Sequence, residues 1–272
     1  MDKKENKTRL AKKLGVSRGI LYYHHKQPLI DEEIKDLILA TLKTHQDYGH
    51  KRIALELKLN KKRILRVMKK FGIKPYRRRA IFRKPADEGK PETIYPNLIK
   101  FFCPIKPNIV WVADFTYFFF QGQWYYLATV MDLFTREIIG WSFSDKHDTQ
   151  LVIDAFNDAK EKTKTIPLYF HSDQGSEYDS KRNLNLIESG GTKISMSKKS
   201  SPWENAFQES FYSHFKVYLS HLERFNDLGE LIEEMAQAIY YYNHERIHST
   251  LKMSPIKFRL LKSREYLFKE MG

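Results

Sequence analysis

The chain has 272 residues, 47 Lys and Arg against 33 Asp and Glu, a formal net charge of +14, one cysteine and 42% apolar residues. That apolar fraction supports a hydrophobic core, which excludes disorder throughout, and the length allows one large domain or two smaller ones. Cys103, as the single cysteine, excludes a disulfide framework and a cysteine-based zinc cluster, and suits a reducing compartment.

No run approaches about 18 apolar residues, and residues 1–8 are charged with no apolar stretch behind them, so neither a membrane span nor a signal peptide is expected. The charge is unevenly placed. Residues 1–100 hold 27 Lys/Arg and 11 Asp/Glu, a net of +16, whereas residues 101–272 hold 20 and 22, a net of −2. Such a basic block attracts phosphate backbones and releases their counterions. An anionic membrane would attract it too, but the block lacks the Trp/Phe/Leu-rich face of an interfacial helix, and nucleic acid is the expected partner.

Residues 1–76 read as a helical region. Leu10, Leu14, Ile20 and Leu21 are the apolar positions of a first helix pair broken at Gly15-Val16-Ser17, with Ser17 as N-cap of the second member. The Ala11-x-x-x-Gly15-Val16-Ser17 pattern resembles the turn of a helix-turn-helix, whose second helix enters the major groove. Ile34, Leu37, Ile38 and Leu42 make one apolar stripe over residues 30–44. After the Asp47-Tyr48-Gly49 turn, Ile53, Leu55, Leu57 and Leu59 alternate, but residues 52–58 are rich in Ala, Glu, Leu and Lys, which favours helix. Asn60 is placed to cap a helix over residues 61–71, with Ile64, Leu65, Met68 and Phe71 as its apolar face and Gly72 as its stop. Lys61, Lys62, Arg63, Arg66, Lys69 and Lys70 give this second candidate reading helix phosphate-binding capacity, a solvated basic face being the alternative. His24, His25, His45 and His50 lie in this region, but without a Cys pair at ligand spacing they make no zinc site.

Residues 77–105 read as a basic linker, with Arg77-Arg78-Arg79, Arg83-Lys84, Pro85, Gly89, Pro91 and Pro96 in no periodic order. Residues 106–272 have a different pattern. Residues 109–120, rich in Val, Trp, Thr, Tyr and Phe, read as a strand, Gln121-Gly122-Gln123 as a hairpin turn, and residues 124–133 and 137–143 as two further strands. A helix over 149–164, a strand over 168–171, a helix over 180–189, a short strand over 193–196 and helices over 203–222 and 227–242 complete the pattern. Three antiparallel strands followed by β/α alternation predict an α/β fold, a mixed five-stranded sheet with flanking helices, behind an all-α region.

Three carboxylates stand out by position. Asp114 interrupts the apolar run Val110-Trp111-Val112-Ala113-Asp114-Phe115-Thr116-Tyr117, where an ionised group is costly unless a cation or donors compensate it. The alternative is a strand-end Asp facing solvent. Asp173 follows a short strand in His171-Ser172-Asp173-Gln174-Gly175-Ser176-Glu177-Tyr178, at the kind of strand tip where ligands of such sheets collect. Gly175 lets the backbone turn close to whatever Asp173 holds, and an ordinary Asx turn is the competing account. Glu209 falls on one helical stripe with Asn205, Ser213 and Lys216, beside a Phe207, Phe211, Phe215 stripe expected to bury. Alone it reads as a solvated surface glutamate. Together the three form an ordered set, with 35 residues between Asp173 and Glu209.

Further motifs accompany this set: Tyr48-Gly49-His50-Lys51-Arg52-Ile53, Pro107-Asn108-Ile109 ahead of the first strand, Met131-Asp132-Leu133-Phe134-Thr135-Arg136, Ile139-Gly140-Trp141, Ser195-Met196-Ser197, Glu204-Asn205-Ala206, Glu209-Ser210-Phe211, Tyr242-Asn243-His244-Glu245-Arg246-Ile247-His248-Ser249 and Ser254-Pro255. On these motifs, which run over roughly the full chain, it resembles the DDE transposases of bacterial insertion sequences, and among them the OrfB-type subunit with a retroviral-integrase-like core. Glu204 stands where that family usually shows Asp, and Trp203 where it usually shows Tyr; neither touches the three carboxylates.

The resemblance implies a ribonuclease-H-like fold and a metal-binding triad at Asp114, Asp173 and Glu209. Such carboxylates, without Cys or His, suit Mg²⁺ or Mn²⁺, two ions standing about 3.5–4 Å apart. Water would be the nucleophile in a first step that nicks the element at its 3′ end, and the freed 3′-hydroxyl the nucleophile in a second that joins the strand to another phosphodiester. No Gly-x-x-x-x-Gly-Lys-Ser/Thr stretch is present for ATP. Lys216 would reach a phosphate held near Glu209, or else salt-bridge at the surface. His171 would polarise the site or serve as a satisfied strand histidine, and Asn205 would position DNA or cap its helix. Lys193, Lys198 and Lys199 flank a Ser/Lys-rich stretch that either contacts DNA or forms a solvated loop, and Arg77, Arg78 and Arg79 add to the DNA-contact set. Asn243, Arg246 and His248 match the family's C-terminal motif, with a structural and DNA-proximal role expected. The implied partners are double-stranded DNA (element ends and target), further copies of the chain, and a smaller upstream-frame DNA-binding product, sometimes as a frameshift fusion, in the bacterial cytoplasm at the nucleoid. A DNA-binding regulator with an inactive core, and a plain ribonuclease-H-like nuclease, are the competing readings.

Overall fold

In the computed structural model the described residues are 7–19, 27–76, 95–198 and 205–270, with Lys7, Gln27 and the last five by backbone alone. Ile20, Leu21, His24, His25, Arg77, Arg78, Arg79, Lys199, Trp203 and Glu204 lie outside them, and with them the expected second helix of the first pair. The chain divides into two units, Met1–Thr44 with Tyr48–Lys74, and His45–Asp47 with Pro75–Gly272. Among the described residues no helix is long and apolar enough to cross a membrane.

The first unit holds α1 (Lys7–Leu14), α2 (Gln27–Thr44), α3 (His50–Glu56) and α4 (Lys61–Lys70). Asn60 caps α4 as its sequence position predicts, its side chain accepting the Lys62 N–H at 2.8 Å, and Gly72 follows the helix at a φ of +66°. Ile38 of α2, Ile53 of α3 and Ile64 of α4 are fully buried. Val67 joins Ile64 and Met68 on the buried face of α4, where Leu65 was expected; Leu65 is only half-buried, because positions 64, 67 and 68 form the tighter i, i+3, i+4 stripe. The helix predicted over residues 52–58 is shorter at its end, with Lys58 in a left-handed conformation (φ 52°).

In the second unit, β1 (Val110–Phe120), β2 (Gln123–Asp132), β3 (Ile138–Ser144), β4 (Tyr169–Ser172) and β5 (Lys193–Met196) form one mixed sheet in the order β3-β2-β1-β4-β5. The first three strands pair antiparallel, β4 joins β1 in parallel over Val110–Val112, and β5 joins β4 in parallel. Expected strand ends are met within one residue. Gln121 and Gly122 both take positive φ, which suits the twist of a two-residue hairpin between β1 and β2.

Alternation along β1 sorts its side chains between two cores. Val110, Val112, Phe118 and Phe120 pack with α7 (Ala206–Leu219) and α8 (Leu228–His244), while Trp111 and Ala113 pack with α5 (Thr149–Thr163) and α6 (Lys181–Ser189). Burying a side chain of this size contributes roughly 1.5–3 kcal/mol, so a sheet covered on both faces is the stable outcome. Gly140 on β3 permits that cover: a Cβ there would stand 2.4 Å from the Ala155 carbonyl and 2.6 Å from the Ala159 nitrogen of α5. Asp132, nearly fully buried, closes the β2–β3 turn by accepting the Asn108, Phe134 and Thr135 N–H groups at 2.6, 3.1 and 2.7 Å.

Two helical expectations change. Within the predicted span 203–222, α7 runs from Ala206 to Leu219, ends at Ser220 with positive φ, and a short 3₁₀ turn follows at Leu222–Arg224. A further helix, α9 (Pro255–Glu270), was not expected, because its apolar and charged residues follow no clean stripe. Its signal was Ser254-Pro255, a proline at a first helical position where the missing N–H costs nothing.

Candidate active site

The three carboxylates come from three elements of the second unit: the middle of β1, the C-terminal tip of β4 and the first turn of α7. Asp114 is partly exposed, and one of its oxygens accepts the Phe115 N–H at 2.8 Å. Burial raises its carboxyl well above the usual carboxylate range, with the charge of Asp173 and then of Glu209 adding to the rise; the Phe115 N–H and the Lys216 ammonium oppose it. Asp173 accepts the Gly175 N–H at 3.0 Å, so the Asx turn weighed as the alternative is present. Burial raises its pKa as well, with Glu177 adding and the Gly175 N–H and His147 opposing. Glu209 is exposed, and partial loss of solvent around its carboxyl raises its pKa.

Among the described residues no three His, Cys, Asp or Glu side chains are gathered into a metal cage. The donor set nonetheless fits a hard divalent cation. It offers three carboxylates, and the repulsion that both Asp173 and Glu209 exert on Asp114 is the kind of charge conflict a cation relieves.

The loop after β4 is tightly built. A Cβ at Gly175 would stand 2.6 Å from Glu177 Oε2 and 3.1 Å from Asp173 Oδ1, so a larger residue there would displace these carboxylate ends. Glu177 is buried and lies 2.7 Å from His147 Nε2, whose ring packs between Phe115 and Tyr126 at centroid distances of 4.5 and 4.9 Å. Tyr178 is buried beside the site; burial and then the Asp114 charge raise its hydroxyl pKa, and that hydroxyl has no hydrogen-bond partner among the described residues. Sequence reasoning singled out none of His147, Glu177 or Tyr178 as site residues, although two of them stand in the quoted segment.

The face of α7 toward the sheet differs from expectation. Phe211 and Phe215 are buried, but Phe207 is exposed and lies under the Arg136 guanidinium at 3.9 Å from its ring centre. Gln208 and Tyr212 take the buried positions instead, since β1 offers carbonyls that their polar ends satisfy: Gln208 Nε2 donates to Val112 O at 2.7 Å and Tyr212 Oη to Asp114 O at 2.6 Å. Asn205 is buried and makes no side-chain cap; its Nδ2 donates to Ala113 O at 3.3 Å. Lys216 lies 5.4 Å from the centres of both the Tyr117 and Phe118 rings, close enough to Asp114 to favour its ionised form.

Other candidates are placed as follows. His171 is fully buried, its Nδ1 2.9 Å from Ser195 Oγ on the neighbouring strand. Asn243 accepts from Ile138 N at 2.9 Å and donates to Ile138 O at 2.8 Å, tying α8 to the start of β3. Arg246 donates to Asp47 at 2.6 Å, and the His248 N–H donates to Met253 O at 3.0 Å. Lys193 and Lys198 are exposed. In the first unit, all six cations of α4 are exposed, but Arg66 and Lys70 both pair with the buried Asp31, at 2.8 and 2.9 Å, and part of their charge is spent there.

The chain has relatives among known proteins. The integrase core domain family matches residues 104–202, and a second integrase core family matches residues 190–255. The chain is 35% identical over 239 residues to the transposase for insertion sequence element IS904 from Lactococcus lactis, covering 83% of this chain and 92% of that one. It is 34% identical over 240 residues to a 31 kDa protein of insertion element IS600 from Shigella sonnei, covering 84% and 88%. The fold is similar to that in a cryo-electron microscopy structure of the simian T-cell lymphotropic virus intasome, with a TM-score of 0.51 and 16% identity over 81% of this chain and 73% of that one. With relatives this similar over most of its length, the chain belongs to the transposases of insertion sequences, enzymes of the polynucleotidyl transferase type built on a ribonuclease-H-like integrase core.

Proposed function

We propose that this transposase nicks DNA at the 3′ ends of its insertion element and joins the freed 3′-hydroxyls to target DNA, with Asp114, Asp173 and Glu209 holding Mg²⁺ or Mn²⁺, two ions in each site. The observation that supports the reading is the placement of the three carboxylates on β1, at the tip of β4 and in the first turn of α7, with the charges of Asp173 and Glu209 both acting on Asp114. Bound there, the metal would supply the positive charge that activates an attacking oxygen and steadies the leaving one. The chain's own part is to hold the reactants. Asp114 stays oriented by the Phe115 N–H and Asp173 by the Gly175 turn, while Lys216 stands beside Asp114 as a cation for a bound phosphate. Both steps exchange one phosphodiester oxygen for another, so no protein nucleophile is needed.

The basic first unit and the arginines after it grip the element ends, through Lys61, Lys62, Arg63 and Lys69 on α4 and through Arg77, Arg78 and Arg79. The chain works as a multimer on paired ends, with an upstream-frame DNA-binding subunit as a further partner, in the cytoplasm at the nucleoid. A cleavage assay with Mn²⁺ on end-sequence duplexes tests the site. Asp114→Asn, Asp173→Asn and Glu209→Gln are each expected to abolish cutting while binding of the DNA ends survives. Near-wild-type cutting by any of them removes that residue from the site, and an inactive wild type with intact DNA binding favours a regulator.

A further inference from the structure

Three consecutive carbonyls of β1, those of Val112, Ala113 and Asp114, accept hydrogen bonds from Gln208, Asn205 and Tyr212. Thr129, which pairs with Asp114 across the β1–β2 ladder, is held by Gln208 and Tyr212. Its carbonyl accepts from Gln208 Nε2 at 3.3 Å, and its Oγ1 lies 3.1 Å from Gln208 Oε1 and 2.8 Å from Tyr212 Oη. Gln208 is fully buried, and 6% of Tyr212 is exposed. The backbone that carries the Asp114 carboxylate is thus tied to the helix residues just before Glu209 and three after it.

Packing alone does not require these groups. Phe211 and Phe215 already give α7 its apolar contact with β1 and α8. Apolar contact is non-directional, so a helix held by it alone can slide or turn at small cost. A hydrogen bond near 2.7 Å is distance- and angle-selective, and several of them converging on one strand leave the helix one rotation. Turning matters here, since about 100° separates neighbouring residues and a small rotation swings an exposed side chain through several ångströms.

We propose that Gln208 and Tyr212 are positioning residues: through β1 and Thr129 they set the height and rotation of Glu209 relative to Asp114, and so the affinity of the carboxylates for their divalent cation. This rests on the reading that those carboxylates bind metal. The test uses the full chain and two readouts, Mn²⁺ binding followed by the electron paramagnetic resonance signal of free Mn²⁺, and the Mn²⁺ midpoint of end cleavage. Tyr212→Phe and Gln208→Met are each expected to weaken Mn²⁺ binding about 10-fold, the usual effect of removing a group that orients a ligand. The cleavage midpoint should move by the same factor, with the rate recovering at saturating Mn²⁺, while Glu161→Gln on the exposed face of α5 changes neither. Gln208→Met leaves buried carbonyls without a donor; if it does not fold, Tyr212→Phe, which keeps the ring, decides the matter. Wild-type Mn²⁺ affinity in folded Tyr212→Phe, or a cleavage loss that Mn²⁺ does not restore, overturns the positioning role. If Glu209→Gln leaves Mn²⁺ binding unchanged, the metal reading fails first, and the two failures are told apart.

Discussion

Asp114 sits where a carboxylate is worst tolerated. Its strand neighbours on either side are apolar, and its ionised form meets burial and two like charges. The sign of the stability effect follows. A carboxyl whose folded pKa is raised binds its proton more tightly folded than unfolded, so stability falls as pH rises from its ordinary value toward the raised one, and the full penalty is present above that. With a chelator present at pH 7, Asp114→Asn is expected to raise Tm by about 2 °C or more, the shift that roughly 1 kcal/mol produces in a chain of this size. The gain should shrink toward pH 4; a lower Tm at pH 7 would show that the carboxylate is net stabilising. This residue was legible in the sequence because a lone charge in an apolar run is conspicuous. Gln208 and Tyr212 were not, since periodicity registers apolar side chains and reads a glutamine beside Glu209 as surface. Phe207 failed for the same reason: its place on an aromatic stripe said nothing of the sheet carbonyls that draw the helix round to bury Gln208 instead.

Helices and strands carry their own predictions. β3 and α5 approach so closely at Gly140 that Gly140→Val is expected to destabilise the chain by about 1–3 kcal/mol or more, as overpacking does, read as a lower denaturant midpoint. The short segment His45–Asp47 is bolted to α7 and α8: His45 Nδ1 lies 2.6 Å from Tyr241 Oη, and Asp47 pairs with His214 and Arg246, each at 2.6 Å. Burial alone would raise the Asp47 pKa, but His214 and Arg246 together hold it well below the ordinary carboxylate range. A depressed carboxylate contributes stability that is present above its unfolded pKa of 3.8 and lost as pH falls further. Asp47→Asn should therefore cost about 3 kcal/mol at pH 7, where it strands the buried Arg246, and clearly less near pH 3, as urea titrations at the two values would show. Element existence was mostly legible, because β-branched runs, hairpin turns and caps act locally. The unexpected α9 and the shortened α7 were not: α9 has a start signal at Ser254-Pro255 but no clean apolar stripe behind it, and the end of α7 at Ser220 carries no glycine or proline.

At the scale of the molecule, positive charge is segregated, with +16 over residues 1–100 and −2 over the rest. Binding to element ends should then weaken steeply with salt, and replacing Lys61, Lys62 and Arg63 by Ala should lower the log–log slope by about 0.9 for each phosphate that is no longer neutralised. Replacing Arg66 and Lys70 is expected to change the slope less and to destabilise the first unit more, because the buried Asp31 would lose these two cations. A gel-shift salt series on the two variants separates these effects. By itself the sequence determined the charge partition, the order of strands and helices, and the spacing of the three carboxylates, all of which are properties of neighbours or of covalent order. Only the tertiary structure decided which polar groups turn inward and what they hold. The bonds from Gln208 and Tyr212 to β1 join residues 96 and 98 apart in sequence, and no local pattern can register a partner that distant.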